Sequence, residues 1–454
     1  MVANLVWHAA ASAHPHSPLD KLHEATTGAP LADVSRPTAR PRRSWLLAGV
    51  TLADGAVADV IVAGGTIAYV GPSLPPPPSD ETRSVPTLDL RGFVLLPSFV
   101  EPHAHLDKAY TADLVANPRG DLGGAIDAWI GARGGFSGAD VQGRAEKAAL
   151  NLVAGGATAI RSHADTGPDI GLRSVQALLA VRGRIAGVAD LQVVACGALP
   201  LSGSDGAANR ATLEAALDAG ADVIGGAPWL DSDPESAIAY LVGLGRERNL
   251  PLDLHLDETL DPRSLSIEVL LRHVGPDRPL PAGRITASHV VSLGAQAEAD
   301  QVRIARAIAA AGVGVVALPR SNLYLQGRGL GTSTPRGITA LGALLSADAV
   351  VAGGGDNLRD PFTPIGRPDV LETASLLVSA GHLSPEQALT AVTVSARSVM
   401  GLPPVAVRGG SPADLVAIRA TSLVDAVGGA HSERLVFKSG RLVAHTCVVS
   451  EVAL

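Results

Sequence analysis

Pro97-Ser98-Phe99-Val100-Glu101-Pro102-His103-Ala104-His105-Leu106-Asp107-Lys108 reads as an apolar strand running into two histidines one residue apart. Strand side chains alternate faces, so His103 and His105 point the same way and can offer two imidazole nitrogens to one metal ion. Alone, a His-x-His pair is weak, because paired surface histidines arise by accident. Its weight depends on what recurs along the chain.

From Phe93 to about Gly355 one theme repeats, a short strand-like run followed by an Ala- and Leu-rich stretch with helical spacing. The runs are Leu95 to Val100, Ala157 to Ser162, Leu191 to Ala195, Asp222 to Gly226, Leu252 to Leu254, Arg284 to Ser288, Val313 to Leu318 and Ala349 to Gly353, eight in all. Between them, sets such as Val141, Ala145, Ala148, Ala149 and Leu152 fall on one helical face. These alternations predict an α/β chain with a (β/α)8 TIM-like barrel over residues 93–402, whose reactive groups sit where strands end and loops begin. A doubly wound sheet would normally carry a nucleotide loop. The chain has no G-x-x-x-x-G-K-[ST], and Gly353-Gly354-Gly355 lacks the spacing and following helix of a dinucleotide fingerprint.

Residues 1–43, rich in Ala, Pro, Ser and His, predict a loose extension in which His8, His14, His16 and His23 are solvated. From Trp45, apolar runs broken by Asp54-Gly55 and Gly64-Gly65 predict antiparallel hairpins, and Pro75 to Pro78 a stiff connector. Ser384, Pro385 and Gln387 spell a capping box opening a last helix that runs to Gly401. Ala413 to Ile418 and Leu435 to Val443 then resemble the N-terminal strands, so residues 44–92 and 403–454 are expected to build one small β-sandwich beside the barrel.

At 46% hydrophobic residues the 454-residue chain can bury a large core, and with 3% aromatics that core must be Ala, Val, Leu and Ile. No apolar run approaches the ~18 residues of a membrane span, and no basic start precedes an apolar segment. A cytoplasmic protein with no membrane partner is the expectation. A formal charge of −8 argues against a nucleic-acid partner. Cys196 and Cys447 suggest no disulfide framework.

The polar residues at the strand ends form a set: His103 and His105, then His163, then His255 with Asp257 and Glu258, then His289, then Asp356 and Asn357. In a barrel all of these share one rim. Three imidazoles and a carboxylate, His103, His105, His255 and Asp356, suit one divalent ion, Zn²⁺ or Fe²⁺, with a position left for water. Bound there, water has its pKa lowered toward ~7, so hydroxide can attack an electrophilic carbon at neutral pH. Glu258, three residues past His255, is placed to shuttle the proton, His289 to orient the nucleophile, and Asp356 to act as ligand and base together. His163 is expected to bond a neighbouring carbonyl beside the site. Asp107 and Lys108, just past the first ligands, are candidates for substrate contact.

Pro97 to Lys108, Arg161 to Asp165, Asp253 to Glu258, Thr286 to His289, Leu323 to Arg328 and Gly355 to Asp360 together resemble the amidohydrolase superfamily in its cytosine deaminase-like branch. The similarity covers about Ser44 to Val443. It implies the barrel, one metal ion on the four ligands above, catalytic Glu258 and His289, a substrate side at Gln326, Asn357 and Arg359, and a homo-oligomer. Relatives with two metals usually carry a bridging lysine on the fourth strand. Asp222 to Trp229 holds none.

The chain departs from cytosine deaminases at two positions. They carry a pyrimidine-reading glutamine where this chain has Ala198, and an aspartate where it has Asn357. Asp107-Lys108 and Asp356-Asn357-Leu358-Arg359-Asp360 are similar instead to aminohydrolases of N-substituted s-triazines such as N-isopropylammelide. The expected activity is hydrolytic deamination of a small amino-substituted N-heterocycle. Cyclic amide or lactam hydrolysis on the same site is the alternative, and a non-catalytic scaffold the third.

Overall fold

The computed structural model describes residues 44–72, 85–275, 281–429, 431–448 and 451–452. The expected extension over residues 1–43 and the connector Pro75 to Pro78 lie outside them. First along the chain come β1 Trp45–Thr51, β2 Val57–Ala63, β3 Thr66–Gly71, β4 Thr87–Asp89 and β5 Phe93–Pro97. Then follow β6 Phe99–Ala104, β7 Ala157–Asp165, β8 Asp190–Gly197, β9 Val223–Gly226, β10 Leu252–Leu256, β11 Ile285–His289, β12 Gly314–Ala317 and β13 Val351–Gly353. Last come β14 Leu415–Arg419, β15 Arg434–Lys438 and β16 Arg441–Thr446.

Strands β6 to β13 are neighbours in chain order, and the bridge between Ala104 and Asp356 brings the end of the series back to its beginning. Helices such as Gly138–Ala154, Arg173–Ile185, Pro234–Glu247 and Glu298–Ala311 cover the outside. Both faces of each strand are therefore buried, as a parallel sheet requires. On β10 the alternation separates two environments: Leu252, Leu254 and Leu256 pack outward among the helices, while Asp253 and His255 are inward and buried. The floor of the barrel is apolar, built from Val100, Ala159, Val316, Leu318 and Ala352 and closed by Val399 and Met400.

The first predicted strand, Leu95 to Val100, is two strands in two sheets. Phe93–Pro97 pairs antiparallel with β14, Leu415 opposite Pro97 and Arg419 opposite Phe93, whereas Phe99–Ala104 pairs with β7 in the barrel. Ser98 stands between them, its N–H donating to Asp414 O at 2.9 Å. The break therefore falls at Ser98, after which Phe99 N donates to Gly156 O at 2.9 Å on the barrel side. The barrel thus begins at Phe99, and residues 93–97 belong to the sheet made by the two ends of the chain.

That sheet is continuous, in the order β16-β15-β14-β5-β1-β2-β3 with β4 on β1. Three strand spacings, ~14 Å in a flat sheet, separate β15 from β1. Yet the rings of Trp45 and Phe437 are 6.3 Å apart, and Trp45 Nε1 donates to Gly440 O at 2.9 Å. The sheet therefore folds over its own apolar core, which is how one sheet gives the expected sandwich. The predicted last helix is also divided. Its capping box is present at Ser384 and Gln387, but the helix stops at Val392 and a second runs Val394–Val399. At the junction, Thr393 has φ −126° and ψ −85°, and its hydroxyl donates to Leu389 O at 2.6 Å.

Candidate active site

Four barrel strands deliver polar residues at the same end. His103 lies on β6 with His105 just beyond it, His255 on β10, His289 closes β11, and Asp356 follows β13; all five are buried. His105 Nε2 lies 3.1 Å from His255 Nε2 and 3.3 Å from Asp356 Oδ1, and His103 Nε2 is 3.7 Å from the same oxygen. Donors that share one ion at ~2.0–2.1 Å stand roughly 3–4 Å from one another.

The hydrogen bonds beneath the cluster assign tautomers. Ser288 Oγ donates to Asp253 Oδ1 at 2.8 Å, so it accepts from His103 Nδ1 at 2.9 Å. That leaves the His103 Nε2 lone pair turned toward Asp356. Asp253 is held from the other side by Arg161 Nη1 at 2.8 Å. Likewise His289 Nδ1 faces Asn322 Oδ1 at 3.1 Å and is the donor, which leaves Nε2 as an acceptor. His103 Nε2, His289 Nε2 and both Asp356 oxygens are buried without hydrogen-bond partners. Orphaned groups of this kind are costly, and a cation satisfies lone pairs and carboxylate together. The nitrogen and oxygen donor set fits Zn²⁺ or Fe²⁺.

Protonation follows from burial and neighbours. Burial pulls His289 down to about 4, so it is neutral at physiological pH. Burial and the charge of Lys108 lower His105, and burial with its imidazole neighbours holds His255 well below the usual range. Burial alone would raise the Asp356 carboxyl, but His105 and the nearby imidazoles overcome it and keep it ionised. Glu258 goes the other way. Burial and then the Asp356 charge push it well above an ordinary carboxyl, and its Oε1 sits 3.5 Å from His289 Nδ1. Burial, the imidazole neighbours and mutual repulsion thus push the two carboxyls apart, Asp356 toward the ionised form and Glu258 toward the protonated one.

A second polar group adjoins the centre. Lys108 Nζ donates to Asp165 Oδ1 at 2.7 Å, Trp129 Nε1 donates to Asp165 Oδ2 at 2.7 Å, and Asp165 N donates to Asp107 Oδ2 at 3.0 Å. The ammonium lies 5.3 Å from the Trp129 ring centroid and 5.9 Å from that of Phe362. Burial opposes the charge on Lys108, but Asp107 and Asp165 outweigh it and raise the amine; the same pairing lowers Asp165. Lys108→Met removes the ammonium from Asp165, which keeps Arg133 Nη1 at 3.6 Å, and is expected to cost about 1–3 kcal/mol of stability, read from urea unfolding at pH 7.

The structure brings His103, His105, His255, Glu258, His289 and Asp356 together, with Lys108 beside them. Gln326 lies next to Glu258, its Nε2 donating to the Glu258 main-chain carbonyl at 3.0 Å. Asn357 Nδ2 donates to Asp360 Oδ2 at 2.8 Å. Arg359 is exposed, its Nε donating to Gly366 O at 3.0 Å. The expectation for His163 needs correction: neither ring nitrogen bonds a carbonyl, and the ring packs 4.1 Å from that of His103. The strand directs this side chain into the barrel, away from main-chain acceptors. Asp257, placed among the rim residues by its position, accepts from Ser266 N at 2.8 Å and Ile267 N at 2.9 Å, and so anchors the start of helix Ser266–Val274.

Sequence reasoning missed Asp253, Ser288, Asn322, Trp129 and Arg320. Asp253 carried a signal, because it shares a strand face with His255 two residues on; Ser288 did not, because it adjoins His289 and the two reach one side only through the left-handed backbone of His289 at φ +71°. The other three sit in helices that no local pattern connects to the barrel rim.

The amidohydrolase family profile matches residues 142–444. A pterin deaminase from Rhizobium rhizogenes is 32% identical over 391 residues, covering 85% of this chain and 87% of that protein. The structure of 5-methylcytosine deaminase from Klebsiella pneumoniae superposes with a TM-score of 0.80 at 26% identity, over 90% of this chain and 99% of that one. N-isopropylammelide isopropylaminohydrolase from Burkholderia multivorans superposes at 0.75 with 30% identity, over 89% and 99%.

Proposed function

This chain belongs to the amidohydrolase family, hydrolases of carbon–nitrogen bonds, and from that premise we propose that it deaminates a pterin-like heterocycle at the carbon bearing the amino group. The likeness to a pterin deaminase along 85% of the chain supports the substrate class. The observation that carries the chemistry is the set of orphaned, buried donor atoms at His103, His289 and Asp356, with Glu258 beside them pushed well above an ordinary carboxyl by burial and the Asp356 charge.

His103, His105, His255 and Asp356 would hold one divalent ion, Zn²⁺ or Fe²⁺. When bound, it supplies Lewis acidity that makes water nucleophilic at neutral pH. The remaining steps belong to side chains. His289, neutral and donating through Nδ1, accepts a hydrogen bond from the water at Nε2 and so aims the oxygen at the ring carbon. Glu258 donates its proton to the adjacent ring nitrogen, which makes that carbon more electrophilic. A C–O bond forms; Asp356 takes one proton of the water and passes it to the amino group. The C–N bond then breaks, ammonia leaves, and Glu258 recovers its proton as the new hydroxyl becomes a carbonyl. Lys108, with donors to spare beyond Asp165, faces the site as a partner for a ring carbonyl.

Protein loaded with Zn²⁺ is expected to release ammonia from pterin with kcat/KM at least about tenfold above its release of ammonia from cytosine or of alkylamine from an N-alkylamino-s-triazine, a preference of ~1.4 kcal/mol or more. A triazine preference would transfer the site to the chemistry of the N-isopropylammelide isopropylaminohydrolase. A ring-opened acid without ammonia would end the deaminase reading.

A further inference from the structure

Asp356 adopts a left-handed backbone with φ +59°, a conformation that a non-glycine residue keeps only when its surroundings impose it. Four hydrogen-bonding groups around it are taken, each by a partner outside its own loop. The Gly355 N–H donates to Glu101 Oε1 at 2.9 Å and Oε2 at 3.0 Å. The Asp356 N–H donates to His103 O at 2.8 Å. The carbonyls on either side of Asp356, those of Gly355 and Asn357, both accept from one nitrogen of Arg320, the latter at 2.8 Å. The other guanidinium nitrogen is anchored on Glu372 Oε2 and Arg367 O, each at 2.8 Å.

Both clamps connect to the other ligands. Glu101 precedes His103 by two residues on β6, and its Oε1 also accepts from His103 N at 3.2 Å. One carboxylate therefore holds the main chain at His103 and at Gly355, whose neighbour is Asp356. The fit leaves no slack: a Cβ on Gly355 would stand 2.6 Å from Glu101 Oε2, and one on Gly354 3.1 Å from His103 Cβ. Arg320 is buried and uses its planar fork to span two carbonyls and a carboxylate, a geometry that a lysine cannot copy. Neither Glu101 nor Arg320 is among the candidate ligands, and nothing in their hydrogen bonds places them on substrate.

We infer that Glu101 and Arg320 are positioning residues for Asp356, fixing its carboxylate relative to His103 and His105 and so setting how firmly the centre holds its ion. The inference rests on Asp356 being a ligand, as proposed above. Residues that orient ligands typically change metal affinity by about 10- to 100-fold when altered. Glu101→Gln and Arg320→Lys are each expected to weaken Zn²⁺ binding by about that factor, measured by chelator competition. The Co²⁺-substituted proteins should show altered visible bands, and saturating metal should leave kcat lowered with KM near that of the parent. Because both act on one loop, the double variant should lose less than the product of the two effects.

Asp356→Asn, measured alongside, separates the two readings. Parent-like Zn²⁺ affinity in Asp356→Asn would overturn the ligand assignment and the inference with it. Weak binding there, with parent-like affinity and Co²⁺ bands in both clamp variants, would overturn the inference alone. Should the clamp variants fail to fold, Glu372→Gln weakens the outer anchor of Arg320 together with the hold on Arg367 N, which donates to the same oxygen at 2.8 Å, and leaves the bonds of Arg320 to the Gly355 and Asn357 carbonyls in place. It is expected to weaken Zn²⁺ in the same direction, and unchanged affinity in it would overturn the positioning role.

Discussion

Glu258→Gln is expected to keep its metal and lose turnover by about 10²–10⁴-fold, the range for removal of a positioned proton-transfer group. The substitution preserves shape and main-chain support, since Gln326 Nε2 holds the Glu258 carbonyl rather than its carboxyl. It removes only the exchangeable proton. Burial and the neighbouring Asp356 charge hold that proton on the carboxyl well above the ordinary range. The sign follows: the donor form is present below the raised pKa and is lost as pH rises through it. The parent's kcat should therefore decline on the alkaline side, and the residual rate of Glu258→Gln should lack that limb. Stopped assays of ammonia release across pH, with metal content measured on the same samples, check both. Full activity in the variant would remove Glu258 from the mechanism.

Asp356→Asn is expected to fail at an earlier step. The parent should carry about one equivalent of divalent metal per chain, the capacity of a single four-donor site. The variant should carry much less and lose kcat/KM by more than about 10³-fold, because several kcal/mol of charge stabilisation depart with the ion. A carboxamide offers one neutral oxygen where the parent presents two buried carboxylate oxygens without hydrogen-bond partners. Metal present at about 100 times its dissociation constant stabilises the folded parent by about 2.7 kcal/mol. The rise in melting temperature on adding Zn²⁺ should accordingly vanish in Asp356→Asn. Elemental analysis and thermal melts with and without Zn²⁺ read both effects. A variant that held a full equivalent and still melted higher with Zn²⁺ would exclude Asp356 as a ligand.

The candidate site was legible to the extent that its signals are local. His103 and His105 share a face because strands alternate, and His255 and Asp253 do so for the same reason. The eight runs spelled the barrel because both faces of a parallel strand are buried and its apolar runs are unbroken. The run Leu95 to Val100 misled for that same reason: apolar continuity does not say which sheet a strand joins. Only the pairing of Phe93–Pro97 with Leu415–Arg419, residues more than three hundred positions away, divides it at Ser98. His163 misled because a histidine beside an aspartate reads locally as hydrogen-bonded, whereas the barrel turns it against His103.

By itself, then, the order of residues determined the alternation of strands and helices and the shared face of His103 with His105 and of Asp253 with His255, since these depend on neighbours within a few positions. Tertiary structure alone decided that His105 and His255 stand 3.1 Å apart, that the Asp356 carboxyl is lowered while that of Glu258 is raised, and that Glu101 and Arg320 hold the Asp356 turn. Distances between remote residues are set when the barrel closes, and pKa values are set by the charges and burial that closure creates; neither is a property of any short stretch of chain.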